Sequence, residues 1–169
     1  MRVRVRVRVP RVPRVLRCLA VWGVALAAVG GGTVPVAAAD GGPEADLAYH
    51  GTASMAFGVV DVRFTPRNHG PSAVPDATVR LRWSQPLAFR QVLPDGCARS
   101  GLRVVLCRVG ALAADGLGER VELGVRLRGA PSEVLLEVDT VWSGGVVDGN
   151  RANDRQRVLV LDTGDEYYF

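Results

Sequence analysis

Two cysteines, Cys97 and Cys107, stand ten positions apart in a chain that has only two histidines, His50 and His69. That spacing is too wide for a C-x-x-C redox pair, and with no histidine close by it makes a poor zinc site. Neither histidine joins a His/Asp/Ser or metal-ligand constellation. The sequence contains no G-x-S-x-G, H-E-x-x-H, P-loop or G-x-G-x-x-G. Glu133 and Glu137, four apart on one strand, read as solvated rim carboxylates before a glycosidase pair. The oxygen-rich run DGNRAND carries Asp148, Asn150, Asn153 and Asp154. A calcium loop is its functional reading, but it lacks the spaced carboxylates and terminal bidentate Glu of an EF-hand. Its structural reading is a loop whose side chains accept from turn N–H groups. RNHGPS is read in the same way: Asn68 caps its own turn, Gly70 has access to positive φ, Pro71 presets φ, and Ser72 follows. The groups an enzyme needs are missing. The expectation is a non-catalytic chain, with no cofactor and no metal.

The elements that must position these loops begin after a leader. MRVRVRVRVPRVPRVLR has the alternation of a strand and the charge of a nucleic-acid arm, but an uncharged stretch from Cys18 to Ala39 follows it. That stretch ends in Ala37-Ala38-Ala39, ahead of Asp40. A basic n-region, an apolar h-region and an A-x-A site make a secretory signal peptide over 1–39, cleaved between Ala39 and Asp40. Retention as an anchor is the alternative; Gly30, Gly31, Gly32 and Pro35 interrupt the apolar stretch and weigh against it. Seven of the 21 Arg lie in residues 1–17, so removal leaves 14 against 17 acidic residues, a net charge of −3. The basic balance belongs to the leader, and nucleic-acid binding loses its support. Cys18 also leaves, and in an exported domain the remaining Cys97 and Cys107 are expected to form one structural disulfide.

The remaining 130 residues suffice for one domain. Residues 40–45 read as a flexible tether, 46–162 as the domain, and 163–169 as an acidic, aromatic tail. ADLAYHG opens the strand series. VVDVRF places Val60, Val62 and Phe64 on one face, and TPRNHGPSAVPD follows as a long loop. ATVRLRW turns Val79, Leu81 and Trp83 inward. LAFRQV reads as a short strand and LRVVLCRV as another. RVELGVRLR aligns Val121, Leu123, Val125 and Leu127; EVLLEVDTVW aligns Val134, Leu136, Val138 and Thr140; RVLVLD closes the domain. Period-two patterning with no 3.6-residue stretch predicts an all-β fold. Half-polar strands predict an immunoglobulin-like antiparallel β-sandwich of about seven or eight strands. Trp83 and Trp142 are expected in the core, with an exposed glycan platform as the alternative. The tail DTGDEYYF is expected to fray, ahead of docking as a strand or hook.

NHGPSAVPDATVRLRW resembles the N-x-G-P-S-x-A-x-x-V-x-V signature of a bacterial immunoglobulin-like surface-repeat family of unknown function, related to adhesion-associated, CARDB-like domains. GCARSGLRVVLCRVGALAADG, ERVELGVRLRG and VVDGNRANDRQRVLV resemble its later segments in the same order, from about Asp46 to Leu161. The family's closing Asn-Asn is Asn153-Asp154 here, and L-P-x-G is present as LPDG. Family members often carry several copies, where this chain has one. The resemblance implies a secreted or envelope-associated module with a structural or adhesion role. Its expected partners are a cell-wall polymer or a surface protein, with no nucleic acid and no membrane contact beyond the leader. The alternative is a small carbohydrate- or ligand-binding module using exposed aromatics.

Overall fold

A computed structural model describes residues 42–169. The expected leader, its Ala39–Asp40 cleavage point and the start of the tether lie outside the described residues. The unit Ala39–Phe169 carries the whole core described below.

The described chain is all-β, without a helix. Its strands are β1 (Glu44–Ala45), β2 (Leu47–Ala56), β3 (Val59–Asn68), β4 (Val74–Trp83), β5 (Cys97–Arg99), β6 (Val104–Leu112), β7 (Val121–Arg126), β8 (Glu133–Trp142), β9 (Val147–Asp148), β10 (Arg155–Leu161) and β11 (Glu166–Tyr168). The count exceeds seven or eight because four of them are only two or three residues long. Such fragments are too short to leave an alternating pattern. One antiparallel sheet has the order β11-β2-β3-β7 and another β10-β8-β4-β6-β5, while β1 and β9 form a small parallel pair.

Burial follows the alternation closely. Val60, Val62 and Phe64 of β3, Val79, Leu81 and Trp83 of β4, and Val134, Leu136 and Val138 of β8 are buried in one cluster that draws on both large sheets. That is the expected pattern for half-wet antiparallel strands packed face to face, an arrangement consistent with a β-sandwich. Gly51 takes an inward position of β2 opposite Phe64, where a Cβ would lie 2.1 Å from the Arg63 carbonyl oxygen and 2.7 Å from Phe64 Cβ. Only glycine lets the Phe64 backbone approach so closely. Tyr49 meets Phe64 edge-on at 5.9 Å.

Several expectations need correction. β3 continues to Asn68 and β4 begins at Val74, so the long loop at 65–76 shrinks to five residues. LAFRQV is not a strand: Leu87 makes a single bridge to Leu127, and Phe89 and Val92 are exposed. Pro86 and Pro94 bracket it, only Leu87 and Ala88 donate to other main chain among the described residues, and the Gln91 and Arg99 side chains take its carbonyls in place of a ladder. Trp142 is half exposed, not core. Thr78 pairs with Trp142 while Val79 pairs with Thr140, so Val141 is bulged and the inward phase is lost after Thr140. The tail does not fray. β11 pairs with the edge of β2, Phe169 exchanges both main-chain hydrogen bonds with Gly51, and Tyr167 and Phe169 pack on the core. Within the tether, Glu44 and Ala45 form β1, and Ala45 is fully buried.

Candidate functional site

The strand registers sort the loops into two ends. Loops 69–73, 113–120 and 143–154 lie at one end, with the start of β2. The β2–β3 turn at Phe57–Gly58 lies at the other. The two polar motifs meet at the first end, on Glu44–Leu47.

Asn68 sits buried at the end of β3, and all its side-chain capacity is used. Its Oδ1 accepts from the N–H groups of Asp46 (3.2 Å) and Gly70 (3.0 Å). Its Nδ2 donates to the carbonyls of Ser72 (2.8 Å) and Ala113 (3.0 Å). Gly70 is needed for a reason other than positive φ: a Cβ there would fall 2.6 Å from the Ala45 main chain. Pro71 is exposed at the loop's tip. Ser72 Oγ accepts from Glu44 N, and Ser72 N donates to Glu44 O, which fixes β1 from one side.

DGNRAND fixes it from the other side. Asp148, in β9, accepts from Leu47 N and, within its own turn, from Asn150 N. Asn150 Oδ1 accepts from Ala152 N at 3.4 Å, and Asn153 Nδ2 donates to Asp46 Oδ1 at 2.7 Å. The Asp154 carboxylate is fully buried, with Arg151 Nε at 3.1 Å and Arg155 Nε at 3.7 Å. Burial raises its pKa above the ordinary carboxylate value, with Asp148 adding to the rise and Arg151 opposing it. Close by, the buried Tyr49 hydroxyl hydrogen-bonds Thr140 Oγ1, and burial pushes its pKa above the usual phenol value.

The sequence-predicted residues are thus brought together, with Asn68, Ser72, Asp148 and Asn150 forming a clasp that satisfies backbone groups and Asp154 held by Arg151 instead. His50 and His69 are exposed, and His69 meets the clasp through its main-chain N–H, which donates to the Asp46 carbonyl at 2.7 Å. Among the described residues no group of three or more His, Cys, Asp or Glu is placed to hold a metal ion.

Cys97 and Cys107 form the expected disulfide, across the β5–β6 pair with Cα atoms 4.0 Å apart. Arg108 N donates to Gly96 O, so the cysteines occupy a non-hydrogen-bonded pair, where opposed side chains approach most closely. Cys97 lines a surface depression of about 610 Å³, in which the Arg108 guanidinium binds Asp76.

Sequence reasoning missed the exposed apolar side chains of the opposite end, Phe57 and Phe89 among them. The available signal was Phe-Gly where a two-residue hairpin turn favours Asn-Gly. Compared with known proteins, the chain matches no family model and no curated protein.

Proposed function

We infer that this chain is an exported, non-catalytic module of immunoglobulin-like type, with a structural or adhesion role at or beyond the cell envelope. The strand orders support that type: β2-β3-β7 and β10-β8-β4-β6 correspond to A-B-E and G-F-C-C′, and between β2 and β10 the chain changes between the two large sheets after β3, after β6 and after β7. The resemblance to bacterial surface-repeat domains agrees with this order. The loop motifs serve the fold: their side chains are taken up by main-chain groups of the clasp.

The observation that carries an interaction role is the outer edge of β7. β3 pairs with one side of it, and among the described residues no strand pairs with the other along Val121–Val125. Main-chain groups there are available to an extended segment of a surface protein. The carbohydrate alternative needs aromatics gathered on one flat face, but Trp142 lies at the end opposite Phe57.

Mass spectrometry of culture supernatant tests export directly. The expected species begins at Asp40 and carries the mass deficit of one disulfide. Intact protein in the cytosol with both thiols open to alkylation would overturn the proposal. Hydrogen exchange tests the edge: adding surface-protein extract should slow exchange at Val121–Val125, and unchanged rates would remove the edge from consideration.

A further inference from the structure

Fourteen arginines lie among the described residues, and nine are within ion-pair distance of a carboxylate. The five that pair with none among the described residues are Arg90, Arg99, Arg103, Arg126 and Arg128. All five lie toward the end that carries the Phe57–Gly58 turn. The loop segments that carry them and their apolar neighbours, 56–59, 84–92, 100–104 and 126–132, contain no Asp or Glu; the β10–β11 turn at the same end adds Asp162 and Asp165, fewer carboxylates than the five guanidiniums.

These segments form one stitched platform. Leu127 N donates to Gly58 O (2.8 Å), Leu87 N to Leu102 O (2.7 Å), Ala88 N to Arg126 O (2.8 Å) and Arg128 N to Pro86 O (2.7 Å). Gln91 bonds both the N–H and the carbonyl of Arg126. The Arg99 guanidinium donates to the carbonyls of Ala88 and Phe89. Four apolar side chains project from this fixed backbone: Phe57 is 92% exposed, Phe89 87%, Val92 93% and Leu102 66%. Phe57 also holds φ +53 beside Gly58 at φ +71. A bulky residue in the left-handed region is costly, and a ring this exposed offsets little of the cost by burial.

The geometry points to this end as a docking surface for an anionic phospholipid bilayer. The apolar side chains stand out from loop tips instead of lining a groove. They suit a fluid phase that closes around them better than a partner of fixed shape. The guanidiniums beside them meet lipid phosphates while the Phe, Val and Leu side chains enter the acyl boundary. A neutral bilayer would leave those cations without counter-charge. The site is separate from the clasp at the other end, adds a membrane contact beyond the leader, and does not depend on export.

The test is cosedimentation of residues 40–169, which hold the complete core, with phosphatidylglycerol/phosphatidylcholine vesicles and with phosphatidylcholine alone. Binding is expected to the anionic vesicles only, and to weaken as salt is raised. Phe57→Asn and Phe89→Ser should each weaken it about tenfold. Arg90→Gln and Arg128→Gln should each weaken it about fivefold. Leu117→Ser, an exposed site at the opposite end, should leave it unchanged. All five substitutions are at exposed side chains, and unchanged melting verifies the fold; Phe57→Asn should raise it. Equal binding to neutral vesicles, or unchanged binding by a Phe57→Asn/Phe89→Ser double variant, overturns the proposal. No binding to either vesicle also overturns it and leaves the surface to a protein partner.

Discussion

Phe57→Asn should make the domain more stable, an unusual expectation for removing an aromatic. The β2–β3 connection has two central residues, Phe57 and Gly58, both at positive φ. A type I′ turn requires this, and its preferred first residue is Asn. The left-handed conformation costs an ordinary L-residue on the order of 1–2 kcal/mol, and Asn much less. Against that gain stands the burial lost with the phenyl ring. Phe57 is 92% exposed, so the area withdrawn from water is on the order of 20 Å² and its loss costs about 0.5 kcal/mol. The net effect is a stabilisation of about 0.5–1 kcal/mol, or a rise of about 3 °C in Tm for a domain of this size. Thermal unfolding of residues 40–169 followed by circular dichroism, with the disulfide intact, measures it. Phe57→Ala is the control: it deletes the ring without easing φ and should lower Tm by about 2 °C. An Asn variant that melts below the parent would refute the reasoning, because the ring would then be contributing packing that its exposure denies. A rise in Tm alongside weaker vesicle binding would place Phe57 among residues held at a cost to stability.

Asn68→Ala removes one side chain from four hydrogen bonds and should cost about 3 kcal/mol, read as a lower denaturation midpoint; a loss under about 1 kcal/mol would mean the clasp is dispensable. Reducing Cys97–Cys107, which closes a short loop, should cost about 3 kcal/mol by loop entropy without changing the β-sheet spectrum. A spectrum that collapses on reduction would show that the bridge holds more than its own hairpin. Asp154 has a folded pKa raised by burial, so the folded state binds its proton more tightly than the unfolded state. Its contribution is therefore fully present below the ordinary carboxylate pKa and is lost as pH rises through the folded value. Stability measured across that window should fall with pH in the parent and be flatter in Asp154→Asn; parallel curves would refute this.

Much of the sheet framework was legible because burial in a half-wet strand is a local, period-two property. Val79/Leu81/Trp83, Val121/Leu123/Val125 and Val134/Leu136/Val138 state their own inward faces without reference to the rest of the chain. The same rule misled wherever something non-local broke the phase. Trp142 kept step with Thr140 in the sequence, but the bulge at Val141, set by pairing with β4, turned it outward. LAFRQV alternates as well as many strands do, yet Gln91 and Arg99 already occupy the main-chain groups a ladder would need. At the candidate site, Asn68 and the DGNRAND acceptors were legible as turn-capping groups from residue type alone. Their convergence on Glu44–Leu47 was not, because bonds such as Leu47–Asp148 and Asp46–Asn153 join residues more than 100 positions apart. Nor was the fate of the tail, since Glu166–Tyr168 becomes a strand only because the edge of β2 is there to receive it.

The two ends solve the same problem with different side chains, and that difference is why one is a poor candidate for recognition and the other a good one. Every loop end of a sheet pair must satisfy main-chain groups that no ladder reaches. At the clasp, short polar side chains do this: Asn68, Ser72, Asp148 and Asn150 turn back onto the chain, and what remains of their polarity is spent there. At the opposite end main-chain bonds between loops do most of it, helped by Gln91 and Arg99. Among the described residues, Arg90, Arg103, Arg126 and Arg128 have no side-chain ion pair, and their own segments hold no carboxylate. An exposed guanidinium with no structural partner loses little by meeting an external phosphate, and a fixed loop loses little entropy in presenting it. The apolar tips obey the same logic, because a Phe already fully in water has its whole transfer free energy still to gain.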